Sequence, residues 1–254
     1  MVLPGSRALT RRHVFGLTTL AAGGGLLSAC ASADRAAATS SSAAPAPTAP
    51  PSEAAGAVSG EDAWKQLLAG NTRFIGDQPT HPHQAAQWRS SLVQAQHPFA
   101  CVLGCGDSRV TPELVFDTGL GDVFTVRSAG EVLDDAVLGS IEYSVEHVRT
   151  NLVVVLGHAG CGAVSAAIDL VRHKGEVTGN IATLVRAVEP AVLATPPDPD
   201  PGKFLTACVA EQARRVKTEL AERSEIIRDA VAQRGLKVVA ATYDLADGKV
   251  SELT

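Results

Sequence analysis

Short apolar runs alternate along the chain with longer segments whose apolar residues recur every three or four positions. The run at 99–103 is apolar and the run at 123–126 is β-branched and aromatic, and both predict buried strands that feed loops. The run at 152–156 carries no polar alternation, so we expect both of its faces to be covered, as in a parallel sheet. A further strand is predicted at 236–243, and Asp247-Gly248 offers a tight turn into a short last strand.

Helical periodicity fills the segments between these runs. Acidic residues open the helix predicted over 61–70, and the glycine at its end is expected to terminate it. Further helices are predicted over 134–148 and 163–172, and two or three more over 180–233, interrupted by the proline-rich residues 195–201. This alternation predicts an α/β domain with a central, mostly parallel β-sheet flanked by helices, whose ligands bind at the carboxyl ends of the strands.

Composition and charge exclude two kinds of partner. The 254 residues include 22 Lys and Arg against 27 Asp and Glu, and the net charge of −5 leaves no basic surface for nucleic acid. No run of 18 or more uninterrupted apolar residues is present, so no membrane-spanning helix is predicted. The hydrophobic fraction of 45% is typical of a globular protein.

The first sixty residues differ in composition from the rest of the chain. Residues 1–29 combine the adjacent Arg11 and Arg12 with a mildly apolar, glycine-rich stretch, a pattern that resembles the twin-arginine export signal of bacteria. Residues 30–60 are almost entirely Ala, Ser, Pro, Thr and Gly, which predicts a flexible tether because such a composition buries little apolar area. The folded domain is therefore expected to span 61–254.

Cys30 stands where the export signal is expected to end. It follows Leu27-Ser28-Ala29, which resembles a bacterial lipobox, in which the cysteine is acylated and becomes the first residue of the mature chain. Alternatively, Cys30 is an ordinary residue beside a soluble signal-peptidase site. On the first hypothesis the protein is exported and lipid-anchored to the outer face of the cytoplasmic membrane, and that anchor is its only membrane contact.

Three residues with soft ligand atoms follow the predicted strands. Cys105 follows the run 99–103, and His158 and Cys161 follow the run 152–156 with two intervening residues, a spacing that lets both side chains face one point. Two thiolates and an imidazole suit zinc, and three protein ligands rather than four are typical of a catalytic zinc with one open position. The alternatives are a buried pair of structural cysteines, a disulfide, or a Cys-His nucleophile.

An acid and a guanidinium follow directly after the first of these cysteines. Asp107 could itself bind a metal, but Arg109, on the same side of an extended loop, can bind the carboxylate bidentately and hold it away from the metal. The carboxylate could then orient a water molecule in the free position. The alternative is an ordinary surface ion pair, which contributes little to stability.

Together these motifs resemble the zinc site of the β-class carbonic anhydrases. The residues that carry the resemblance are Cys105-Gly106-Asp107-Ser108-Arg109-Val110 and His158-Ala159-Gly160-Cys161-Gly162. Further stretches similar to bacterial members of the family are 70–74, 112–113, 116–117, 121–122, 124, 126–130, 139–143 and 145–147. The resemblance runs from about Ala63 to Val250 and covers the whole predicted domain.

The resemblance implies a reaction as well as a metal. Cys105, His158 and Cys161 would bind Zn²⁺, and the enzyme would hydrate CO2 reversibly to bicarbonate and a proton. The metal would lower the pKa of its bound water from about 15.7 toward neutrality and so generate hydroxide. Asp107, held by Arg109, would accept a hydrogen bond from that hydroxide and aim it at the carbon. Because two thiolates donate more charge than histidines do, we expect the rate optimum on the alkaline side.

The resemblance also implies a pocket and an assembly. The backbone around Ala129 and Gly130 would line the substrate pocket, and the N-terminal helix with Trp64 would be an arm against a neighbouring subunit, in a homodimer or homotetramer. By residue type alone, Trp64 indicates a core position. The chain departs from many relatives by lacking asparagine at Ser128 and Glu131. Glu131 at the pocket edge would weaken bicarbonate binding, alter proton egress or, if it faces solvent, do nothing.

Residues outside these motifs have simpler interpretations. Cys101, in a predicted strand, and Cys208, in a predicted helix, are expected to be buried and to behave as small hydrophobes. His147 and His173 are candidate proton shuttles by type, but are interpreted first as helix-surface residues. Two other functions stay open, namely hydrolysis of a CO2 analogue such as carbonyl sulfide or carbon disulfide, and non-catalytic binding of zinc or bicarbonate. The Asp107–Arg109 pair argues against non-catalytic binding.

Overall fold

The computed structural model describes residues 58–254, in which five strands and eight helices form an α/β domain. The strands are β1 (Ala100–Gly104), β2 (Val123–Arg127), β3 (Leu152–His158), β4 (Lys237–Tyr243) and β5 (Val250–Glu252). The helices are α1 (Gly60–Ile75), α2 (Ala86–Ser91), α3 (Pro112–Val115), α4 (Asp135–Glu146), α5 (Gly162–His173), α6 (Gly179–Ala194), α7 (Pro201–Arg223) and α8 (Glu225–Arg234). The predicted export signal, Cys30 and nearly all of the predicted tether lie outside the described residues.

The strands form one sheet in the order β2-β1-β3-β4-β5. Neighbours from β2 to β4 are parallel, and β5 runs antiparallel to β4. Gly104 at the end of β1 pairs with Arg127 on one side and with Leu156 on the other, so the carboxyl ends of three strands lie together at one end of the sheet. The mostly parallel sheet flanked by helices, predicted from the sequence, is confirmed.

Alternate residues of the central strands pack against opposite layers of helices. Val102 and Val154 contact the cluster that contains Leu67 of α1, whereas Leu103 and Val155 lie in the cluster formed with α4, α7 and α8. Every residue of β1 and β3 is buried, as expected for strands covered on both faces. β2 is only half-buried because it lies at the edge of the sheet, so the prediction of a buried strand there was wrong.

Helix α1 continues past Gly70 to Ile75, so the prediction that this glycine ends the helix was wrong. A Cβ at Gly70 would lie 1.8 Å from the carbonyl oxygen of Phe116, and glycine is therefore needed for the close approach of α1 to the end of α3. Trp64 of the same helix is buried, and its indole Nε1 donates to Glu252 Oε2 at 2.7 Å. The core interpretation of Trp64 is confirmed, and a contact of α1 with a neighbouring subunit stays a prediction.

The second half of the domain follows the predicted pattern closely. Helices α6, α7 and α8 occupy the segment for which two or three helices were predicted, and Pro201 begins α7. Cys101 and Cys208 are buried free cysteines, and burial raises the pKa of Cys101 to about 12. His147 is exposed at the end of α4, which agrees with its helix-surface interpretation. No helix between residues 58 and 254 is long and apolar enough to span a bilayer.

Candidate metal centre

The carboxyl ends of β1 and β3 bring the three candidate ligands together. Cys105 directly follows β1, His158 is the last residue of β3, and Cys161 is the N-cap residue just before helix α5. One ligand atom from each side chain lies within 4.8 Å of the other two, and all three residues are buried. The two sulfur atoms are 4.0 Å apart. Of the residues that the structure describes, no other three His, Cys, Asp or Glu side chains converge in this way.

The donor set fits a zinc ion. A tetrahedral zinc with Zn–S bonds of about 2.3 Å would separate two sulfurs by about 3.8 Å, close to the observed distance. The ring of His158 is fixed by the 3.0 Å contact of its Nδ1 with the carbonyl oxygen of Ala159, which leaves Nε2 as the free acceptor. That Nε2 is buried and has no hydrogen-bond partner among the described residues. A buried imidazole nitrogen facing two thiols is satisfied by a metal, so the residues fit zinc.

The two thiols titrate as a pair. The pKa of Cys105 is lowered, because Cys161 donates a hydrogen bond to its sulfur and because the Gly130 N–H also stabilises the thiolate. The pKa of Cys161 is raised, since it is the donor in that bond and is buried beside the Cys105 charge. A metal ion that binds both sulfurs must therefore displace the proton of Cys161.

Asp107 lies beside this group and is held by Arg109. The guanidinium donates from Nε to Oδ1 at 2.9 Å and from Nη2 to Oδ2 at 2.7 Å, and the Arg109 main-chain N–H also donates to Oδ1 at 2.9 Å. These bonds lower the pKa of Asp107, so the side chain is a carboxylate. Its Oδ2 is 4.0 Å from His158 Nε2. The bidentate pair suggested by the spacing is therefore present, and it borders the metal group instead of standing apart on the surface.

Arg127 is a site residue that the sequence reasoning missed. From the end of β2, its Nε donates to the carbonyl oxygen of Cys105 at 2.8 Å and its Nη2 to the carbonyl oxygen of Asp107 at 2.6 Å. It belongs to one of the stretches on which the resemblance rests, and this was the available signal. Its partners are main-chain atoms, however, and main-chain acceptors leave no pattern in a sequence.

The turn 129–131 closes the site from the other side. Gly130 donates its N–H to Cys105 Sγ at 3.3 Å, and its carbonyl oxygen accepts from Gln212 Nε2 of α7 at 3.0 Å. Its φ of +70° and the 2.9 Å that would separate a Cβ from Ala163 Cβ both require glycine. Gln212 was not identified from the sequence. Ala129, the other predicted pocket residue, packs against Gly106. A Cβ added at Gly106 would lie 3.7 Å from the main-chain nitrogen of Ala129.

Glu131 does not face solvent, so that alternative is wrong. Its relative exposure is 1%, and neither carboxyl oxygen has a hydrogen-bond partner among the residues described. Burial raises its pKa well above the usual range, and the charge of Cys105 raises it further. Glu131 therefore places a carboxyl inside the protein near the metal ligands.

Comparisons with known sequences find carbonic anhydrases among the proteins similar to this chain. A family model described as carbonic anhydrase matches residues 100–250. The carbonic anhydrase of Mycolicibacterium smegmatis is 45% identical over 194 residues, which are 74% of this chain and 90% of that protein. Carbonic anhydrase 2 of Mycobacterium tuberculosis is 42% identical over 190 residues, which are 74% of this chain and 89% of that protein.

Solved structures agree on the fold. A β-carbonic anhydrase from Coccomyxa in complex with acetazolamide is 25% identical and matches with a TM-score of 0.59, covering 74% of this chain and 84% of that one. A β-carbonic anhydrase from Sordaria macrospora is 24% identical, with a TM-score of 0.60 over 75% of this chain and 96% of that one. The fold and the Cys-His-Cys group define a zinc-binding α/β protein. Its sequence places it in a single family: the chain belongs to the carbonic anhydrases, with the β-class fold.

Proposed function

We propose that this protein hydrates CO2 reversibly to bicarbonate and a proton, using zinc held by Cys105, His158 and Cys161. The observation that carries the proposal is the position of Asp107. Its carboxylate borders the three-ligand group but is already engaged by Arg109, as a site with one coordination position left for water requires. A structural zinc site would instead be closed by a fourth protein ligand.

The residues around the metal have separable tasks. When bound, zinc supplies a Lewis acid that lowers the pKa of a coordinated water molecule from about 15.7 toward 7. Arg109 keeps the carboxylate of Asp107 ionised and fixes its direction, so that Asp107 would accept a hydrogen bond from a water molecule in the remaining coordination position. The carbonyl of Ala159 fixes His158 in the tautomer whose Nε2 is free to bind. The Gly130 N–H stabilises the thiolate of Cys105.

Stopped-flow hydration of CO2, with zinc analysis of the same sample, tests this function. We expect one zinc per chain, a rate far above the buffer and a rate that rises toward alkaline pH. One zinc per chain with no rate above the buffer would reject catalysis and leave a binding protein. A parallel assay for carbonyl sulfide distinguishes the other alternative: hydrolysis of carbonyl sulfide without hydration of CO2 would assign the site to the sulfur analogue.

We also propose that the protein acts outside the cytoplasm, anchored by a lipid on Cys30. The support is in the sequence alone, where the Arg11-Arg12 pair, the apolar stretch and the lipobox-like Leu27-Ser28-Ala29 occur in the order an export signal requires. Fractionation of cells that express the full chain tests this proposal. We expect membrane association that Cys30→Ala abolishes, and retention in the cytoplasm when Arg11 and Arg12 are both replaced by Lys. A wild-type protein that never associates with membranes would contradict the lipid anchor.

We further propose that the protein assembles as a homodimer or homotetramer. The Sordaria macrospora relatives are described as tetrameric, and β2 is an edge strand of the sheet that residues 58–254 form, where another strand could pair. Tyr143 of α4 is 48% exposed beside half-buried Phe124 of β2, with ring centroids 6.2 Å apart. Light scattering after size exclusion should give a multiple of the chain mass, reduced by Tyr143→Glu but not by Ile181→Glu on α6. A monomer mass for the wild type would contradict this assembly.

A further inference from the structure

Arg127 occupies a junction between the sheet and the loop that carries two site residues. It is the last residue of the edge strand β2 and pairs with Gly104, the last residue of β1. Beyond this pair, Ser128 donates its N–H to Gly104 O at 3.1 Å, and Gly106 donates its N–H to Ser128 O at 3.3 Å. The main chains of the two strands thus stay bonded as they leave the sheet, and the Arg127 side chain lies at the point where the loop 105–109 begins.

The guanidinium spans this loop with two hydrogen bonds. Its Nε and Nη2 reach the carbonyl oxygens of Cys105 and Asp107, at 2.8 and 2.6 Å, so that Gly106 lies between the two anchored residues. The donors of a guanidinium lie in a rigid plane at fixed separation, so two simultaneous bonds fix the distance between the two carbonyls. A lysine ammonium carries the same charge on a flexible stem and offers no such fixed pair of donors.

Two arginines therefore hold Asp107 through different atoms. Arg109 binds the carboxylate, and Arg127 binds the main-chain carbonyl of the same residue. The Asp107 carbonyl also accepts from the Val110 N–H at 3.0 Å, which closes the loop into a turn. Because Arg127 also binds the carbonyl of Cys105, one side chain sets a metal ligand and the neighbouring carboxylate at a fixed separation.

We propose that Arg127 is a positioning residue, which fixes the Cys105 sulfur and the Asp107 carboxylate relative to His158 and Cys161. It acts through the loop and does not touch the substrate. The inference rests on the proposed function for its effect on rate, but its effect on the metal site is independent of that function. Without the two hydrogen bonds of Arg127, the loop still carries Cys105 and Asp107. The distances of the Cys105 sulfur and the Asp107 carboxylate from His158 and Cys161 are then no longer fixed.

Substitution of Arg127 tests the proposal through metal binding, spectroscopy and rate. Arg127→Met removes the donors and keeps the length, and Arg127→Lys keeps the charge. Arg215→Met is the control and removes an arginine of α7 that forms a 3.7 Å ion pair with Glu219. We expect both Arg127 variants to bind zinc about 10- to 100-fold more weakly in competition with a chelator, as is typical when support for a ligand is lost. The d–d and thiolate charge-transfer bands of the cobalt-substituted variants should shift, and kcat should fall about 100-fold. Arg215→Met should match the wild type in all three measurements.

Free guanidinium separates positioning from general destabilisation. Added to Arg127→Ala, it should restore part of kcat and return the cobalt spectrum toward that of the wild type, whereas methylammonium should not. Wild-type zinc affinity and cobalt spectrum in Arg127→Met would overturn the proposal, and wild-type behaviour of Arg127→Lys would overturn the bridging role. If Arg127→Met fails to fold, Arg127→Lys decides the question by the same measurements. If the wild type does not hydrate CO2, the proposed function fails, and the cobalt spectra still decide the role of Arg127.

Discussion

Replacing Asp107 with asparagine should abolish most of the activity and leave the protein folded with its zinc. The change keeps the shape of the side chain but removes the charge that Arg109 binds at 2.7 and 2.9 Å. Zinc should be retained, because the three ligand atoms that lie within 4.8 Å of one another come from Cys105, His158 and Cys161. Stability should change little, since the Asp107 and Arg109 side chains are 18% and 56% exposed and ion pairs in such positions contribute little.

The expected loss of rate follows from the role of the carboxylate as a hydrogen-bond acceptor for the reacting water. Loss of a positioned group of this kind costs about 100- to 1000-fold in kcat/KM, equivalent to about 3–4 kcal/mol of transition-state stabilisation. The melting temperature should stay within about 4 °C of the wild type. Stopped-flow hydration, zinc analysis and a thermal melt on one sample measure all three quantities.

A matched control separates this effect from a general change of charge. Asp229→Asn removes an exposed carboxylate of α8 and should leave the rate and the zinc content unchanged. An Asp107→Asn enzyme with wild-type kcat/KM would refute the assigned role. Loss of zinc from Asp107→Asn, with Asp229→Asn unaffected, would show instead that the carboxylate contributes to metal binding.

Three further predictions concern the thiol pair, the turn beside it and a buried carboxylate. Zinc affinity should rise with pH, because the pKa of Cys161 is raised and its proton must leave before both sulfurs bind the metal. Chelator competition at pH 6, 7 and 8 measures this, and a pH-independent affinity would contradict it. Gly130→Ala should lower the free energy of unfolding by about 1–2 kcal/mol, because alanine is strained at a φ of +70°, and contact with Ala163 should lower it further. An unchanged melting temperature would contradict this prediction. Asp117→Asn should cost about 2–3 kcal/mol near neutral pH, because main-chain and guanidinium donors lower the pKa of this buried carboxylate despite the opposing effect of burial. The folded pKa lies below the unfolded value, so denaturant unfolding should show the difference in full above about pH 5 and progressively less of it as pH falls toward the folded pKa. A difference that grows as pH falls would contradict this sign.

Sequence patterns predicted the parts of the fold that depend on burial. β1 and β3 could be recognised because a strand covered on both faces must be apolar throughout. The partial exposure of β2 could not, since an apolar run has the same composition at the edge of a sheet as in its middle. The position of Gly70 was misjudged because a glycine that permits close contact resembles one that ends a helix. The four-residue α3 is too short to show a helical period.

The residues of the candidate site also divide into those that the sequence predicted and those that it did not. Cys105, His158, Cys161 and the Asp107–Arg109 pair could be found because they are close in sequence or carry unusual side-chain chemistry. Other contributions depend on main-chain atoms brought together by the fold and were not identified from the sequence, namely the Arg127 bridge and the Gln212 bond to the turn. The burial of Glu131 settles an alternative that the sequence left open.

The central claim is that three protein ligands hold the metal and that Asp107 stays off it. A crystal structure of the zinc-loaded protein at alkaline pH, with anomalous scattering to locate the ion, tests this claim most directly. We expect zinc bound by Cys105, His158 and Cys161, a solvent oxygen as the fourth ligand, and the Asp107 carboxylate on Arg109. Zinc bound elsewhere, or a fourth protein side chain in the remaining position at that pH, would contradict the account.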